Sequence, residues 1–365
     1  MKLFYKRKYD YTTEYGIFGI KIKLTNLKKK LAILEQKMQH SEHTLWRLTD
    51  GDLFLYNNDY KFTMRDFEQL ISKKFYEILG YYPNLKNPKT FNEKINWLKL
   101  NYYNPIENLC CDKYEVKKYV EEKIGKEYVI PTYGIWEDVN DIDFDSLPEA
   151  FVLKNTLSGG TKGVKTIKNK SITDIDKLKY ELNNLLFFYN NNHHDCIIPH
   201  RREIKERIIA EKYMEQIDGQ LYDYKFFCFQ GEPKFLTIIM DRPNYKQSFF
   251  NMNFEKLQFD YGFPQIIKDD IRPHNFKEMI EISKKLSADF QFARVDLYSV
   301  KNKVYFGEIT FNPCGGYATY PYDWDLKIGE MLDLTNIDKK YLINQKAKIR
   351  MVVRERERES NPSTR

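Results

Sequence analysis

Hydrophobic spacing along the chain changes character several times. Ile17–Leu24 alternates apolar and polar positions, which predicts a short strand. Leu24, Leu27, Leu31, Leu34 and Met38 then follow a 3,4,3,4 spacing, the seam of about two heptads where a coiled coil needs three to four. Three readings stay open for it: an amphipathic helix packed on the body, a homodimer contact through residues 24–48, and a membrane-surface contact through Lys28–Lys30. Three capped helices follow. Thr63 opens one, with Phe67, Leu70, Ile71, Phe75 and Ile78 on one stripe and Gly80 as its stop. Thr90-Phe-Asn-Glu93 is a capping box. Asp112-Lys-Tyr-Glu115 opens a third helix running to Gly125.

From about residue 127 the pattern turns mixed. Tyr128–Ile135, Phe151–Lys154, Val164–Ile167, Arg207–Met214, Tyr224–Phe229 and Lys234–Met240 read as strands, and Asp174–Tyr189 and Asn275–Phe290 as helices. Phe292–Val300 and Val304–Phe311 flank a polar KNK turn, which predicts a β-hairpin. Antiparallel strands beside helices indicate an α+β fold. The expected organisation is an N-terminal extension over 1–60, a helical lead-in over 61–125, the main domain over 126–335, and a C-terminal segment over 336–365. The low-complexity RERERE run at 354–359 looks appended.

Composition narrows the function classes. A hydrophobic share of 42% suffices for a large core, and a net charge of +7 is too small for a nucleic-acid surface but suits an anionic substrate. Five cysteines without CxxC spacing fit free thiols better than a disulfide framework. No run approaches the roughly 18 apolar residues of a membrane span, and residues 1–30 are too polar for a signal peptide. The expected location is the cytoplasm, with the inner face of a membrane left open.

Four stretches carry candidate chemistry. In the hairpin, Asp296 and Glu308 interrupt strands that otherwise read as core, and Arg294 lies two residues before the first acid. Buried acids are costly unless paired or metal-bound. The residues alone leave an even choice between a structural ion pair and a site for Mg²⁺ or Mn²⁺, which take hard oxygen ligands. Period two places Glu308, Thr310 and Asn312 on one face. Second, Phe151-Val-Leu-Lys154 runs into Ser158-Gly159-Gly160, a lysine leading into a glycine loop that can cradle phosphate, or a plain surface loop. Third, Glu211, Lys212 and Met214 end a strand that can serve as an adenine hinge or as an amphipathic strand. Fourth, Lys225 stands in an aromatic strand, snorkelling to a rim or aimed at an anion.

Their order resembles the TupA-like ATP-grasp family of bacterial surface-polysaccharide gene clusters. The resemblance rests on NPKTFNEKINWLKL (87–100), DKYEVKKYVEEKIGKEYVIPTYGIW (112–136), LPEAFVLKNTLSGG (147–160), RIIAEKYM (207–214), DYKFFCFQGEPKF (223–235) and FARVDLYSVKNKVYFGEITFNPCGG (292–316). It implies an ATP-grasp fold, two α+β lobes gripping ATP. By position, Lys113 and Lys154 become phosphate-side lysines, Ser158–Gly160 the lid, Glu211–Met214 the hinge, and Lys225 a ribose or phosphate contact. Arg294 then faces the transferring phosphoryl group, and Asp296, Glu308 and Asn312 hold Mg²⁺ or Mn²⁺. Where the superfamily has Asn two positions after the metal glutamate, this chain has Thr310. The implied activity is an ATP-dependent carboxylate–amine ligase, with a saccharide or uronic-acid acceptor and an amine co-substrate. A glycosyltransferase and a non-catalytic scaffold on the same fold are the alternatives.

Overall fold

The structure is a computed structural model that describes residues 4–9, 12–17, 20–25, 64–158, 163–191, 206–214, 221–240, 245–258, 262–267 and 271–343. The chain divides into two units, Met1–Phe62 and Thr63–Arg365. In the first, β1 (Phe4–Tyr9), β2 (Thr12–Ile17) and β3 (Ile20–Thr25) form an antiparallel meander in which Phe4 faces Ile17 and Ile17 faces Ile20. The alternation read as one strand over 17–24 is thus divided between β2 and β3. The heptad positions Leu27–Met38 lie outside the described residues, as do Gly159, Gly160 and the tail.

The second unit opens with α1 (Met64–Leu79), which ends at Gly80 with φ +79°. The capping box forms as expected at α2 (Phe91–Asn101): the Thr90 hydroxyl accepts from the Glu93 amide, and the Glu93 carboxylate accepts from the Thr90 amide. Next comes α3 (Pro105–Cys111), capped by Asn104 with proline at its first position. The third expected helix starts later than its sequence signal. Asp112 Oδ1 accepts from the amides of Tyr114 and Glu115 at 2.7 and 3.1 Å, making a turn, and α4 spans only Val116–Ile124. The strand expected over 128–135 shortens to β4 (Thr132–Trp136), because residues 126–128 form a tight 3₁₀ turn and Pro131 cannot donate to a ladder.

A four-stranded antiparallel sheet has the order β4–β7 (Ile208–Lys212)–β5 (Phe151–Asn155)–β6 (Val164–Ile167). Phe151, Leu153, Ile208 and Ala210 point to one face and pack on Leu178 and Leu182 of α5 (Ile175–Asn191). Period two therefore sends Val152, Lys154, Ile209 and Glu211 to the other face.

A six-stranded antiparallel sheet has the order β11 (Lys256–Leu257)–β10 (Lys246–Asn251)–β9 (Glu232–Met240)–β8 (Asp223–Phe229)–β12 (Phe292–Val300)–β13 (Lys303–Thr310). One face carries Tyr224, Phe226, Ala293, Val295 and Leu297 into the largest core, under α4 and α6 (Phe276–Ser287). The other face is divided. Phe227, Phe229 and Phe292 surround Phe91 of α2, with Phe235 stacked on Phe227 and Ile328 of α7 (Tyr322–Met331) joining the cluster, and the same face also carries Lys225, Arg294, Asp296 and Glu308.

The helical segment 61–125 is not set apart from the two sheets. Asn92 binds Asp325 through its amide and side chain at 3.0 and 2.9 Å and exchanges two hydrogen bonds with the backbone of Ala318. Lys94 donates to the carbonyls of Gly329 and Leu332. A side chain on Gly329 would strike the Lys89 carbonyl, so glycine permits this close approach of α7. The NPKTFNEKINWLKL stretch is thus a clasp between α2 and the chain after the hairpin. Among the described residues, no helix is long and apolar enough to cross a membrane.

Candidate active site

The hairpin forms with Asp296 directly opposite Glu308 and Arg294 opposite Thr310. Its turn has two residues: Lys301 and Asn302 have φ of +52° and +61°, the mirror-image turn that matches strand twist, and Lys303 already pairs with Val300. The register slips after Asp296, leaving Gly307 unpaired. Val304 and Phe306 before the bulge and Ile309 and Phe311 after it all reach the same core. The extra residue therefore turns Glu308 and Thr310 to the face that Asp296 occupies. A Cβ at Gly307 would lie 2.9 Å from the Asp296 carbonyl. Asn312 lies beyond the strand end, with φ −129° and ψ 73°, so the shared face stops at Thr310.

Arg294 is the hub of this face. Its Nε donates to Asp296 Oδ1 at 2.7 Å, and its Nη2 donates to Asp296 Oδ2, Glu308 Oε1 and Thr310 Oγ1 at 2.8, 2.8 and 3.0 Å. Lys225 lies opposite Asp296 on β8 and donates to Asp296 Oδ2, with Asp223 3.8 Å away. Burial pushes the Asp296 carboxyl up; Arg294 and Lys225 pull it back only in part, and the like charge of Glu308 adds to the rise. Burial also works against ionised Glu308, yet Lys225, Arg294 and Lys113 hold its carboxyl well below the usual range. Burial disfavours the charged Arg294, and Asp296 more than restores it.

The four-stranded sheet contributes a second charged cluster. Glu211 accepts from Lys154 Nζ at 2.6 Å and Lys117 Nζ at 2.5 Å. Burial raises the Glu211 carboxyl, but Lys154 and Lys117 outweigh it and hold it at about 2. Glu211 thus accepts from two lysines at the position where the hinge reading expected a base or sugar contact. Lys212 ends β7 with its side chain exposed, and Met214 lies two residues past the strand. Lys113 Nζ donates to the Ser158 carbonyl, so the structure brings together the expected phosphate lysine and the start of the glycine loop. Burial lowers the Lys113 ammonium, and Glu308 opposes that shift.

The sequence patterns gave no sign of Lys117, four residues past Lys113, or of Arg207, which binds Asp112 and Glu115. Nor did they mark Glu206, 5% exposed, which accepts from the Asn155 side chain at 3.1 Å. Burial pushes the Glu206 carboxyl up to about 7 against that hydrogen bond. Its folded value exceeds its unfolded one, so ionisation costs the folded state as pH rises from about 4.5 towards 7. Glu206→Gln is expected to match wild type near pH 4 and to exceed its unfolding free energy by about 1–3 kcal/mol at pH 8, read by urea unfolding at both pH values. Equal stability at pH 8 would refute the assignment.

A magnesium ion, implied by the resemblance, can be tested against these side chains. Among the described residues no three His, Cys, Asp or Glu side chains group to hold a metal by themselves. Mg²⁺ commonly uses one or two carboxylates and completes its shell with phosphates and water. Asp296 and Glu308, adjacent hard-oxygen donors with mutually coupled charge, fit that role.

Among curated proteins none matches the chain. Among solved structures it is similar to D-alanine–D-alanine ligase from Helicobacter pylori, at 18% identity and TM-score 0.42 over 66% of this chain and 69% of that one. It is also similar to the ligase of the same name from Bacillus anthracis, at 17% and 0.36 over 69% and 70%. Both likenesses are distant. The family model described as TupA-like ATPgrasp matches residues 93–333, from the α2 clasp to the residues just past α7. The match takes in both sheets and both charged clusters, and the chain belongs to the TupA-like ATP-grasp family.

Proposed function

We infer that this chain is an ATP- and Mg²⁺-dependent carboxylate–amine ligase acting on a surface polysaccharide or its precursor, with a uronic-acid carboxylate as acceptor and an amino compound as co-substrate. The observation that carries the reading is the charged sheet face on which Lys225, Arg294, Asp296, Glu308 and Thr310 converge, beside the Lys113–Ser158 contact.

A carboxylate oxygen attacks the γ-phosphorus of ATP, its P–O bond to the β-phosphate breaks, and ADP leaves with that electron pair. The amine then attacks the acyl carbon, the C–O bond to phosphate breaks, and amide, inorganic phosphate and one proton are released. Such chemistry needs positioning and charge neutralisation more than a protein nucleophile. Arg294, its guanidinium fixed by three oxygen-bearing side chains, is placed to stabilise charge on the transferring phosphoryl group. Lys225, Lys154 and Lys113 supply cations that exchange their present acceptors for phosphate oxygens. Asp296 and Glu308 would hold Mg²⁺, which when bound neutralises phosphate charge.

The test is a product assay with the full chain, ATP·Mg²⁺, candidate uronic acids and amines. Expected are ADP and phosphate in equal amounts, together with a product whose mass equals acid plus amine minus water. AMP as the nucleotide product refutes the acyl-phosphate route. Consumption of a nucleotide-sugar in place of ATP refutes ligation altogether.

A further inference from the structure

Three segments that carry nucleotide-side residues cross at Arg207, just ahead of β7. Its carbonyl accepts from the Thr156 amide at 2.9 Å, and its amide donates to the Thr156 hydroxyl at 3.2 Å. The Thr156 carbonyl in turn accepts from the Lys113 amide at 2.9 Å. Arg207 Nη2 donates to Asp112 Oδ2 at 3.0 Å and Glu115 Oε1 at 2.9 Å, and its guanidinium lies over the Tyr114 ring at 5.3 Å. Asp112 is fully buried, and its other oxygen ties the turn through the amides of Tyr114 and Glu115. One guanidinium thus spans Asp112, which precedes Lys113, and the strand that bears Glu211 four residues later. Thr156 links the same point to Lys154 two residues earlier and to Ser158 two residues later.

We propose that Arg207 and Asp112 form a positioning pair that aims Lys113 and the start of the glycine loop at the nucleotide phosphates. The proposal rests on the ATP-dependent reading of the site and adds a device to it. Neither side chain touches the nucleotide. The pair acts through the backbone: Arg207 holds Asp112, Asp112 holds the turn, and the turn fixes where Lys113 projects. An Arg–carboxylate contact is directional as well as charged, so a side chain of different shape at position 207 loses the geometry even where charge is kept. The pair shares no hydrogen bond with the Arg294–Asp296–Glu308 network, so its loss reaches that face only through Lys113.

A merely structural clasp would affect all ligands or none, whereas a phosphate-aiming pair discriminates by phosphate. The experiment measures dissociation constants of AMP-PNP·Mg²⁺ and of adenosine by calorimetry on the full chain. The variants are Arg207→Gln, Arg207→Lys, Asp112→Asn and the double variant Arg207→Gln/Asp112→Asn, with Glu115→Gln, the half-exposed second acceptor of Arg207, as the control. Expected is a tenfold or greater loss of AMP-PNP affinity in each single variant at positions 207 and 112. The double variant should be no more than twofold worse than the poorer single, and adenosine binding unchanged throughout. Glu115→Gln should stay within twofold of wild type. Should Arg207→Gln fail to fold, as judged by circular dichroism, Arg207→Lys and Asp112→Asn carry the test. Folded variants that bind AMP-PNP within twofold of wild type overturn the pair. So do losses that multiply in the double variant, or that fall equally on adenosine. A wild-type chain that binds no AMP-PNP overturns the nucleotide reading and the pair together.

Discussion

Asp296→Asn is expected to lower ATP turnover by roughly two to three orders of magnitude while the folded chain persists, a loss on the scale of removing one group that stabilises transition-state charge. The two halves of this expectation have separate physical causes. On the proposed reading, turnover falls because the amide would hold a divalent cation beside Glu308 less well and no longer orients Arg294 through two charged oxygens. Stability survives because ionised Asp296 is disfavoured where it stands: burial lifts its carboxyl above the ordinary range despite two cations. A neutral isostere is relieved of that desolvation. Arg294 keeps Glu308 and Thr310 as acceptors, and Lys225 keeps Asp223 at 3.8 Å, so neither cation is stranded. The change in unfolding free energy should therefore be no more than about 1 kcal/mol, the equivalent of less than one pKa unit. Steady-state ATP consumption beside urea unfolding at pH 7 checks both halves. A folded variant that keeps turnover within tenfold of wild type removes Asp296 from the chemistry and returns the hairpin to a structural ion pair.

Much of this site was written in local patterns. The capping box at Thr90 and Glu93 and the acids within apolar strands are short-range signals, and each survives in the fold. The parity of the last strand was equally legible in its residues. Val304 and Phe306 belong to one period-two set, whereas Ile309 and Phe311 belong to the other, and all four enter one core. Only a one-residue bulge reconciles them, and glycine stands at 307, where it occurs. A period-two count started at Glu308 lands correctly on Thr310 but overruns the strand at Asn312.

The features that escaped the sequence depend on partners far apart along the chain. The role of Glu211 turns on which face of β7 meets α4, and that is decided by Ile208 and Ala210 packing on α5. Lys117 carries no local signal, because its partner Glu211 lies 94 positions on and comes within 2.5 Å only in the fold. Arg207 likewise precedes an apolar strand with no local motif to mark it; its partners Asp112 and Glu115 lie in the turn before α4. α7 was more accessible, since Asp323 and Asp325 sit in its first turn behind Pro321, and acids there favour a helix N-terminus.

Glu211→Gln is the mirror image of the Asp296 change and is expected to fail in the opposite way. Here the folded carboxyl is depressed to about 2 from an ordinary 4.5, so its ionised form stabilises the fold. That contribution is fully present above about pH 4.5 and is lost as pH falls through the folded value near 2. A depression of this size corresponds to about 3 kcal/mol, which agrees with the roughly 3–5 kcal/mol lost when one member of a buried ion pair is removed. Lys154 and Lys117 would remain, 16% and 12% exposed at their side chains, sharing a neutral amide oxygen. The variant should thus unfold about 3 kcal/mol more easily at pH 7, and its deficit against wild type should shrink as pH is lowered from 4.5 towards 3. Nucleotide phosphate supplies the negative charge the variant lacks, so ATP·Mg²⁺ should raise its melting temperature by more than it raises that of wild type. A pH-independent deficit, or an ATP shift no larger than wild type's, would show that Lys154 does not exchange its carboxylate for phosphate.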